Sequence, residues 1–260
     1  MEYIDLHVHT EYTKGNGLSR IPELIKKAKE YKMNSLAITD SGNIDGFREF
    51  GQCCKEFDIK PIYGCGFYFA PFGFSLKETQ HLVLIAKNID GIKNIEKLVQ
   101  LSNSNIIGNK PRIDISLVRQ YNNGIICLTG GLGGVFDKPY IAGNCNAAIE
   151  NIRDLKDIFN NDIYFELQNN GLELNRLIIP EIIKVSKSMA IPCVVTGGSF
   201  YINRTDARAC NILRIKYNNR ELEGDGFYFK SKEDIHKSFQ GYEEYINNSV
   251  VINKRISYKL

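Results

Sequence analysis

The segment that decides the fold lies near the start of the chain, at Ile4-Asp5-Leu6-His7-Val8-His9-Thr10, where polar and apolar side chains alternate as in a β-strand. Because successive side chains of a strand point to opposite faces, we expect His7 and His9 to share one face and Leu6 and Val8 to face a core. Two of the four histidines of the chain stand here. Imidazole is a frequent metal ligand, so the pair indicates either a metal site or a hydrogen-bonded surface pair without a ligand.

The composition is that of a folded α/β protein. The chain has 260 residues and 43% hydrophobic residues, which is enough for the core of a single domain over residues 1–260. A net charge of +3 does not indicate nucleic-acid binding, although a local basic patch is compatible with it. Lys110-Pro111-Arg112 is one such cluster, which could face nucleic acid or simply be solvated.

The cysteines and the hydropathy pattern indicate the compartment. The seven cysteines form no Cys-x-x-Cys pair, and several lie in apolar runs. They predict buried free thiols in a reducing compartment, and we therefore expect a cytoplasmic protein. We expect no membrane contact, because no apolar run approaches the roughly 20 residues of a membrane span and no signal peptide is recognisable.

Seven strands are predicted, most of them separated by helices, at residues 4–10, 35–39, 60–69, 81–87, 124–129, 163–168 and 191–196. Helices are predicted at about 20–32, 44–57, 91–103, 147–159, 174–189, 205–216, 232–239 and 242–258. This alternation predicts a parallel sheet, in a closed or nearly closed barrel, with a doubly wound open sheet as the alternative. In such a barrel the functional side chains lie where strands end, as His9 and Asp40 do, whereas His81 opens its strand.

Several motifs of the chain resemble, in order, those of the PHP (polymerase and histidinol phosphatase) family. They are Leu6–Thr13, Leu36–Asn43, Ile59–Cys65, His81–Asn88, Lys110–Asp114, Phe165–Gln168 and Tyr228–Glu233. The chain is most similar to the PHP domains in alpha subunits of bacterial DNA polymerase III. The resemblance implies a distorted seven-stranded β/α barrel and phosphoester hydrolysis by a cluster of metal ions.

The chain departs from this family at most of the expected metal ligands. Three histidines are retained, His7, His9 and His81. Six expected ligands are replaced, at Asn16, Ser41, Gly66, Gly131, Gly198 and Phe200. Three neutral imidazoles could not balance the charge of several divalent ions, so we expect a vestigial centre in which the glycines leave space and Phe200 helps to fill it.

The resemblance therefore implies a domain with a structural or interaction role in DNA replication, without a cofactor. Its partners would be a polymerase core or other replication subunits, with DNA as a less supported candidate. A chain of 260 residues leaves no room for the polymerase core itself. The alternative is a phosphoesterase, a 3′–5′ exonuclease or phosphatase, in which His7, His9 and His81 hold one zinc or manganese ion. Asp40 is then the candidate general base, unless it orients backbone or a histidine.

Overall fold

The computed structural model describes residues 2–258 and shows a mixed α/β fold. Over these residues the strands are β1 (Ser35–Ile38), β2 (Lys60–Phe69), β3 (Gln80–Ala86), β4 (Ile106–Ile107), β5 (Lys110–Ile113), β6 (Ile125–Leu128), β7 (Ile163–Leu167) and β8 (Cys193–Val195). The α-helices are α1 (Ile21–Glu30), α2 (Phe47–Glu56), α3 (Ile89–Ser102), α4 (Ile115–Gln120), α5 (Asp137–Ile141), α6 (Cys145–Phe159), α7 (Glu173–Met189), α8 (Ala207–Lys216), α9 (Lys232–Ser238) and α10 (Glu243–Arg255).

The eight strands form one sheet, in the order β4-β5-β2-β3-β6-β7-β8, with β1 beside β2. The ten-residue β2 pairs with three neighbours, since its first four residues pair with β1 and its later residues pair with β3 and β5. The predicted parallel sheet is wrong at two strands. Strand β3 runs antiparallel to both β2 and β6, and the short β4 runs antiparallel to β5.

The predicted seven-stranded barrel is not confirmed, because the eight-stranded sheet is not closed. The segment predicted as the first strand, residues 4–10, is not a strand apart from a single bridge between Val8 and Ser199. It does bond to both sides, since its carbonyls accept from Ala37 and Thr39 and His9 N donates to Ser199 O. No continuous ladder forms, because side chains take its backbone donors: His7 N donates to Asp5 Oδ1 and Val8 N to Thr39 Oγ1.

The predicted helices are all present, with ends shifted by a few residues, whereas α4 and α5 were not predicted. Pro180 lies inside α7 without interrupting it. Helix α1 begins at Ile21, with Arg20 and not Ser19 at the N-cap position. An apolar face decides whether a helix forms, while its ends depend on local caps, so the ends are the less predictable part.

The two faces of the sheet bury separate apolar clusters. The larger cluster lies between the sheet and the surrounding helices and includes Phe67, Leu84 and Phe165. The smaller cluster takes one side chain or two from nearly every strand, together with residues of α10 and the N-terminal segment; Leu6 belongs to it. Strand alternation divides the side chains between the two clusters, as expected for a sheet that is covered on both faces.

All seven cysteines are free thiols, and five of them are buried, namely Cys54, Cys65, Cys127, Cys193 and Cys210. Within residues 2–258, no helix is both long enough and apolar enough to cross a membrane.

Candidate functional site

The three retained histidines meet at one end of the sheet. His7 and His9 arrive on the N-terminal segment, between β1 and the residues that follow β8. His81 reaches the same end because β3 is antiparallel to β2, with His81 paired to Tyr68 near the end of β2. The start of an antiparallel strand lies beside the end of its neighbour, which explains how a histidine that opens its strand joins the others.

The imidazole rings are in contact with one another. The ring centroids of His7 and His9 are 4.9 Å apart, and those of His7 and His81 are 5.4 Å apart, with the latter two rings stacked. The Nε2 atoms of His7 and His9 are 3.1 Å apart, within hydrogen-bond distance. The sequence prediction that the two histidines share one face therefore agrees with their placement.

Glu166, in the middle of β7, is the centre of the site. Its carboxylate is fully buried and accepts from four protein donors. His7 Nδ1 lies 2.5 Å from Oε1, Gln168 Nε2 donates to Oε1 at 2.8 Å, and Gly130 N donates to Oε2 at 3.0 Å. The hydroxyl of Thr196 donates to Oε1 as well. Both carboxylate oxygens are thus engaged within the protein.

The protonation of the histidines follows from this carboxylate. Burial alone would lower the pKa of His7, but the charge of Glu166 raises it above its usual value. Burial and the neighbouring His7 lower the pKa of His9 far below its usual value, and the same causes lower that of His81 to about 3. Glu166 therefore stabilises the protonated form of His7, whereas burial and a positive charge on His7 both stabilise the neutral forms of His9 and His81.

Asp40, the candidate general base, lies behind His9. Its buried carboxylate accepts from the backbone N and the hydroxyl of Thr10 and from the hydroxyl of Thr13. Thr13 Oγ1 also lies 3.1 Å from His9 Nδ1. Burial raises the pKa of Asp40 to about 6, although these hydrogen bonds oppose the shift. The structure thus places Asp40 where it orients the loop after the N-terminal segment and, through Thr13, His9.

Two of the replaced ligand positions surround Gln168, and the space that their glycines were expected to leave is filled. A Cβ atom on Gly131 would lie 2.4 Å from Gln168 Oε1, and one on Gly198 would lie 2.5 Å from Gln168 Nε2. Both glycines also have positive φ angles, of +64° and +59°. The Gln168 amide therefore lies where side chains at positions 131 and 198 would otherwise stand.

The other replaced positions are also in or beside the site. A Cβ atom on Gly66 would lie 2.8 Å from His81 Nε2, so any side chain there would displace the His81 ring. Phe200 stacks on His9 with a centroid distance of 4.2 Å. Asn16 and Ser41 line the cleft above the histidines.

The residues present do not fit a multinuclear metal centre. Glu166 is the carboxylate hydrogen-bonded to His7, and its oxygens are already engaged by protein donors. Over the described residues, no group of three or more His, Cys, Asp or Glu side chains is arranged to hold a metal ion. No reaction step through a metal is therefore derived for this site.

Two residues that sequence reasoning left without a role are central here, Glu166 and Gln168. Both belong to a stretch that resembles a family motif, at Phe165–Gln168. The available signal was a single acidic residue in the otherwise apolar strand Ile163–Leu167, since a buried charge requires partners.

Comparison with known proteins identifies the family. The PHP domain model matches residues 5–170, and the chain belongs to this family. DNA polymerase III subunit alpha of Borreliella burgdorferi is 32% identical over 268 aligned residues, which cover 97% of this chain and 23% of the relative. The same subunit of Treponema pallidum is also 32% identical, over 100% of this chain and 24% of the relative. The chain thus spans about a quarter of the length of these relatives.

Among solved structures, a candidate metal-dependent phosphoesterase from Bifidobacterium adolescentis is similar. The match has a TM-score of 0.47 and 11% sequence identity, and it covers 76% of this chain and 87% of that chain.

Proposed function

We propose that this PHP domain has lost its catalytic metal centre and has a structural or interaction role in DNA replication. The observation that carries the proposal is the engagement of Glu166 by four protein donors. These bonds hold the site together without a metal. The buried carboxylate pairs with His7 and accepts hydrogen bonds from Gln168, Thr196 and Gly130. It fixes the positions of these groups, as the hydrogen bonds around a metal centre fix the positions of its ligands.

The charge at the site supports the same proposal. A bridging carboxylate normally offsets the repulsion between neighbouring metal ions, but the expected bridging position is Gly66, over which the His81 ring lies. Gln168 and Phe200 add neutral bulk where ligands were expected. The three histidines then supply only neutral imidazole ligands, which do not offset the charge of several divalent ions.

The relatives suggest where such a domain would act. Those reported above are named DNA polymerase III subunit alpha. We therefore propose a polymerase core or other replication subunits as partners, in the cytoplasm, with residues 1–260 forming one domain. DNA stays a candidate ligand, but the cluster Lys110-Pro111-Arg112 supports it only in part. Arg112 is buried and donates to three backbone carbonyls, so it does not face a ligand.

Metal content and phosphoester hydrolysis test the loss of catalysis. Protein purified without chelator or affinity tag is expected to contain far less than one zinc or manganese per chain by elemental analysis. It is expected to hydrolyse neither p-nitrophenyl phosphate nor single-stranded DNA with added Mn²⁺. Hydrolysis that is lost both with EDTA and in His9→Ala, but retained in His236→Ala on α9, would contradict the proposal.

A phosphoesterase with one zinc or manganese ion is the second candidate, and one observation favours it. The Nε2 atoms of His7 and His9 converge to 3.1 Å, while each Nδ1 lies beside an oxygen of Glu166 or Thr13. Metal-binding histidines commonly have this pattern of outer partners. One bound ion per chain together with His9-dependent hydrolysis would favour this candidate over the first.

A further inference from the structure

Residues 203–225, which we call the flap, leave the body of the fold and return to it at one place. The chain leaves after Tyr201 and returns before Tyr228, and a parallel bridge joins these two residues. Phe200 N also donates to Phe227 O at 2.9 Å. Helix α8 lies in the middle of the flap. The flap is therefore connected to the fold by a short base, in which the two ends of the segment bond to each other.

The flap buries little apolar surface. The structure describes all of its residues, and Cys210 is the only buried one among them. Neither apolar cluster of the fold includes a side chain of the flap. Ile212 and Ile215 of α8 are 59% and 53% exposed. Because burial of apolar surface is the main interaction that holds parts of a fold together, the flap can separate from the fold at a small cost in free energy.

Two hydrogen bonds join the flap to the loop at residues 11–18. Cys210 Sγ donates to Asn16 O at 3.3 Å, and Asn219 Nδ2 donates to Gly15 O at 3.0 Å. Both bonds are between neutral groups, and such bonds contribute little net stability because water replaces them when they break. They hold the flap closed without fixing it permanently.

Within the flap, α8 is bonded to the segment that follows it. Asn211 Nδ2 donates to Leu222 O at 3.0 Å, and Leu222 N donates to Asn211 Oδ1 at 2.8 Å. Arg214 Nε donates to Arg220 O at 2.7 Å. A segment with bonds of its own and few apolar contacts outside opens together and not residue by residue.

The flap is also one wall of the cleft above the histidines. Four of its residues line the cleft: Arg214, Asn218, Asn219 and Arg220. The guanidinium of Arg214 lies 5.5 Å from the ring centroid of Phe200, and Phe200 stacks on His9. Movement of the flap away from the loop would uncover Phe200 and widen the cleft beside His9.

We propose that the flap opens as one unit about its base at Tyr201 and Tyr228 while the sheet stays folded, and that this opening controls access to His9 and its neighbouring histidines. Gly224 lies in the returning end of the flap, with a φ angle of +74° and open space around its Cα, so the backbone can rotate there. The motion follows from the packing of the flap and is independent of the proposed loss of catalysis.

Alkylation of the native protein with iodoacetamide in EDTA tests the opening on the full chain, with peptide mass spectrometry to resolve each cysteine. Cys210 is expected to react when the flap opens, whereas Cys127 and Cys193 belong to the larger apolar cluster and are expected to react on global unfolding. Opening breaks two hydrogen bonds and not the whole fold, so we expect Cys210 to react at least about a hundredfold faster than Cys127. Low urea concentrations should accelerate the reaction of Cys127 but hardly that of Cys210, since the opening exposes little new surface.

Asn219→Ala tests whether the flap moves as one unit. It removes the bond to Gly15 O and is expected to raise the alkylation rate of Cys210 about fivefold. Lys216→Ala, at an exposed position of α8, is the matched control. The rate at Cys127 in the same sample shows whether the whole fold has been destabilised.

Gly15→Ala is a second variant, because its methyl group would lie 2.5 Å from Tyr217 Cβ and push the loop and the flap apart. It is also expected to accelerate the alkylation of Cys210. Its control is Gly143→Ala, at a position that likewise has a positive φ angle but open space around it.

Modification with diethyl pyrocarbonate in EDTA tests the control of access, because this reagent reacts with unprotonated imidazole. His9 is 2% exposed in the closed structure. We expect its modification to rise in Asn219→Ala and Gly15→Ala by the same factor as the alkylation of Cys210. Modification of His236, on α9, is expected to stay unchanged.

Parallel increases at Cys210 and His9, with a constant rate at Cys127, support the proposal. Equal rates at Cys210 and Cys127 in the wild-type protein would overturn it, as would equal Cys210 rates in Asn219→Ala and Lys216→Ala. A faster Cys210 with an unchanged His9 would overturn the control of access. None of these measurements depends on metal binding or hydrolysis, so their failure is distinguishable from failure of the proposed loss of catalysis.

Discussion

Glu166 is the residue whose replacement tests the structure of the site most directly. In Glu166→Ala, His7, Gln168, Thr196 and Gly130 lose their common acceptor, a carboxylate that is fully buried. Removing one partner of a buried ion pair costs about 3–5 kcal/mol, because the other partner stays buried and unpaired. We expect urea denaturation to show a loss of this size in the free energy of unfolding.

The isosteric variant Glu166→Gln separates charge from shape. Its amide keeps one oxygen but turns an NH₂ group toward a donor and removes the partner of the imidazolium, so we expect a loss of about 2–3 kcal/mol. The pKa of His7 is expected to fall, since Glu166 is what raises it. NMR titration of the His7 ring measures this second effect, which a merely structural disturbance would not produce selectively.

The pH dependence of the Glu166→Gln effect has a definite sign. The pKa of His7 is raised in the folded protein. The stabilisation that His7 provides is therefore fully present at pH values below its unfolded pKa of 6.5, and it is lost as the pH rises through its folded pKa. Burial alone would raise the pKa of Glu166, but the charge of His7 lowers it below its usual 4.5. The stabilisation that Glu166 provides is therefore present above pH 4.5 and is lost as the pH falls through the folded pKa. We expect the largest difference between wild type and variant between these two values.

The control is Glu173→Gln, because Glu173 lies at the exposed start of α7 and its nearest cation, on Arg176, is 3.6 Å away. Exposed pairs of this kind contribute little, and its unfolding is expected to match that of the wild type. A loss below about 1 kcal/mol in Glu166→Ala would refute the reasoning, as would an unchanged His7 titration in Glu166→Gln.

Two further substitutions test other parts of the structure by the same denaturation assay. Gly131→Ala is expected to lower the free energy of unfolding by about 2 kcal/mol more than the control Gly143→Ala. Both positions have positive φ angles, but only a methyl group at position 131 would collide with Gln168. Equal losses in the two variants would show that Gln168 does not occupy this space. Arg112→Lys is expected to lower the free energy of unfolding by about 2–4 kcal/mol, because a lysine cannot donate to all three backbone carbonyls that the guanidinium reaches. Arg119→Lys, at an exposed position, is the control. If Arg112→Lys left the stability unchanged, Arg112 would again be a candidate for the ligand-facing surface.

Local patterns along the sequence were sufficient for much of the fold. Short apolar runs predicted six of the strands, including β6 and β7, and the amphipathic helices between them were predicted as well. The order of motifs also predicted the family, which the match over residues 5–170 confirms. These features depend on periodicity and on residue order, both of which can be read without knowledge of distant contacts.

The direction of β3 and the state of residues 4–10 could not be predicted in the same way. An apolar strand has the same pattern whether its neighbours are parallel or antiparallel, so His81 could not be placed with confidence at the end of the sheet that carries His7. The N-terminal segment has the alternation of a strand, but Asp5 and Thr39 take its backbone donors and prevent a continuous ladder. Asp5 belongs to the segment itself, whereas Thr39 is distant in sequence and reaches the segment only in the folded chain.

The sequence by itself determined which residues stand at the positions where the family resemblance implies metal ligands, because that information resides in residue identity at each position. Only the tertiary structure decided what occupies the space beside these positions: the Gln168 amide lies against Gly131 and Gly198, and Glu166 is the common acceptor of His7, Gln168, Thr196 and Gly130. The physical reason is that a buried carboxylate is stabilised by hydrogen-bond donors, and its four donors come from separate segments of the chain that only folding brings within hydrogen-bond distance.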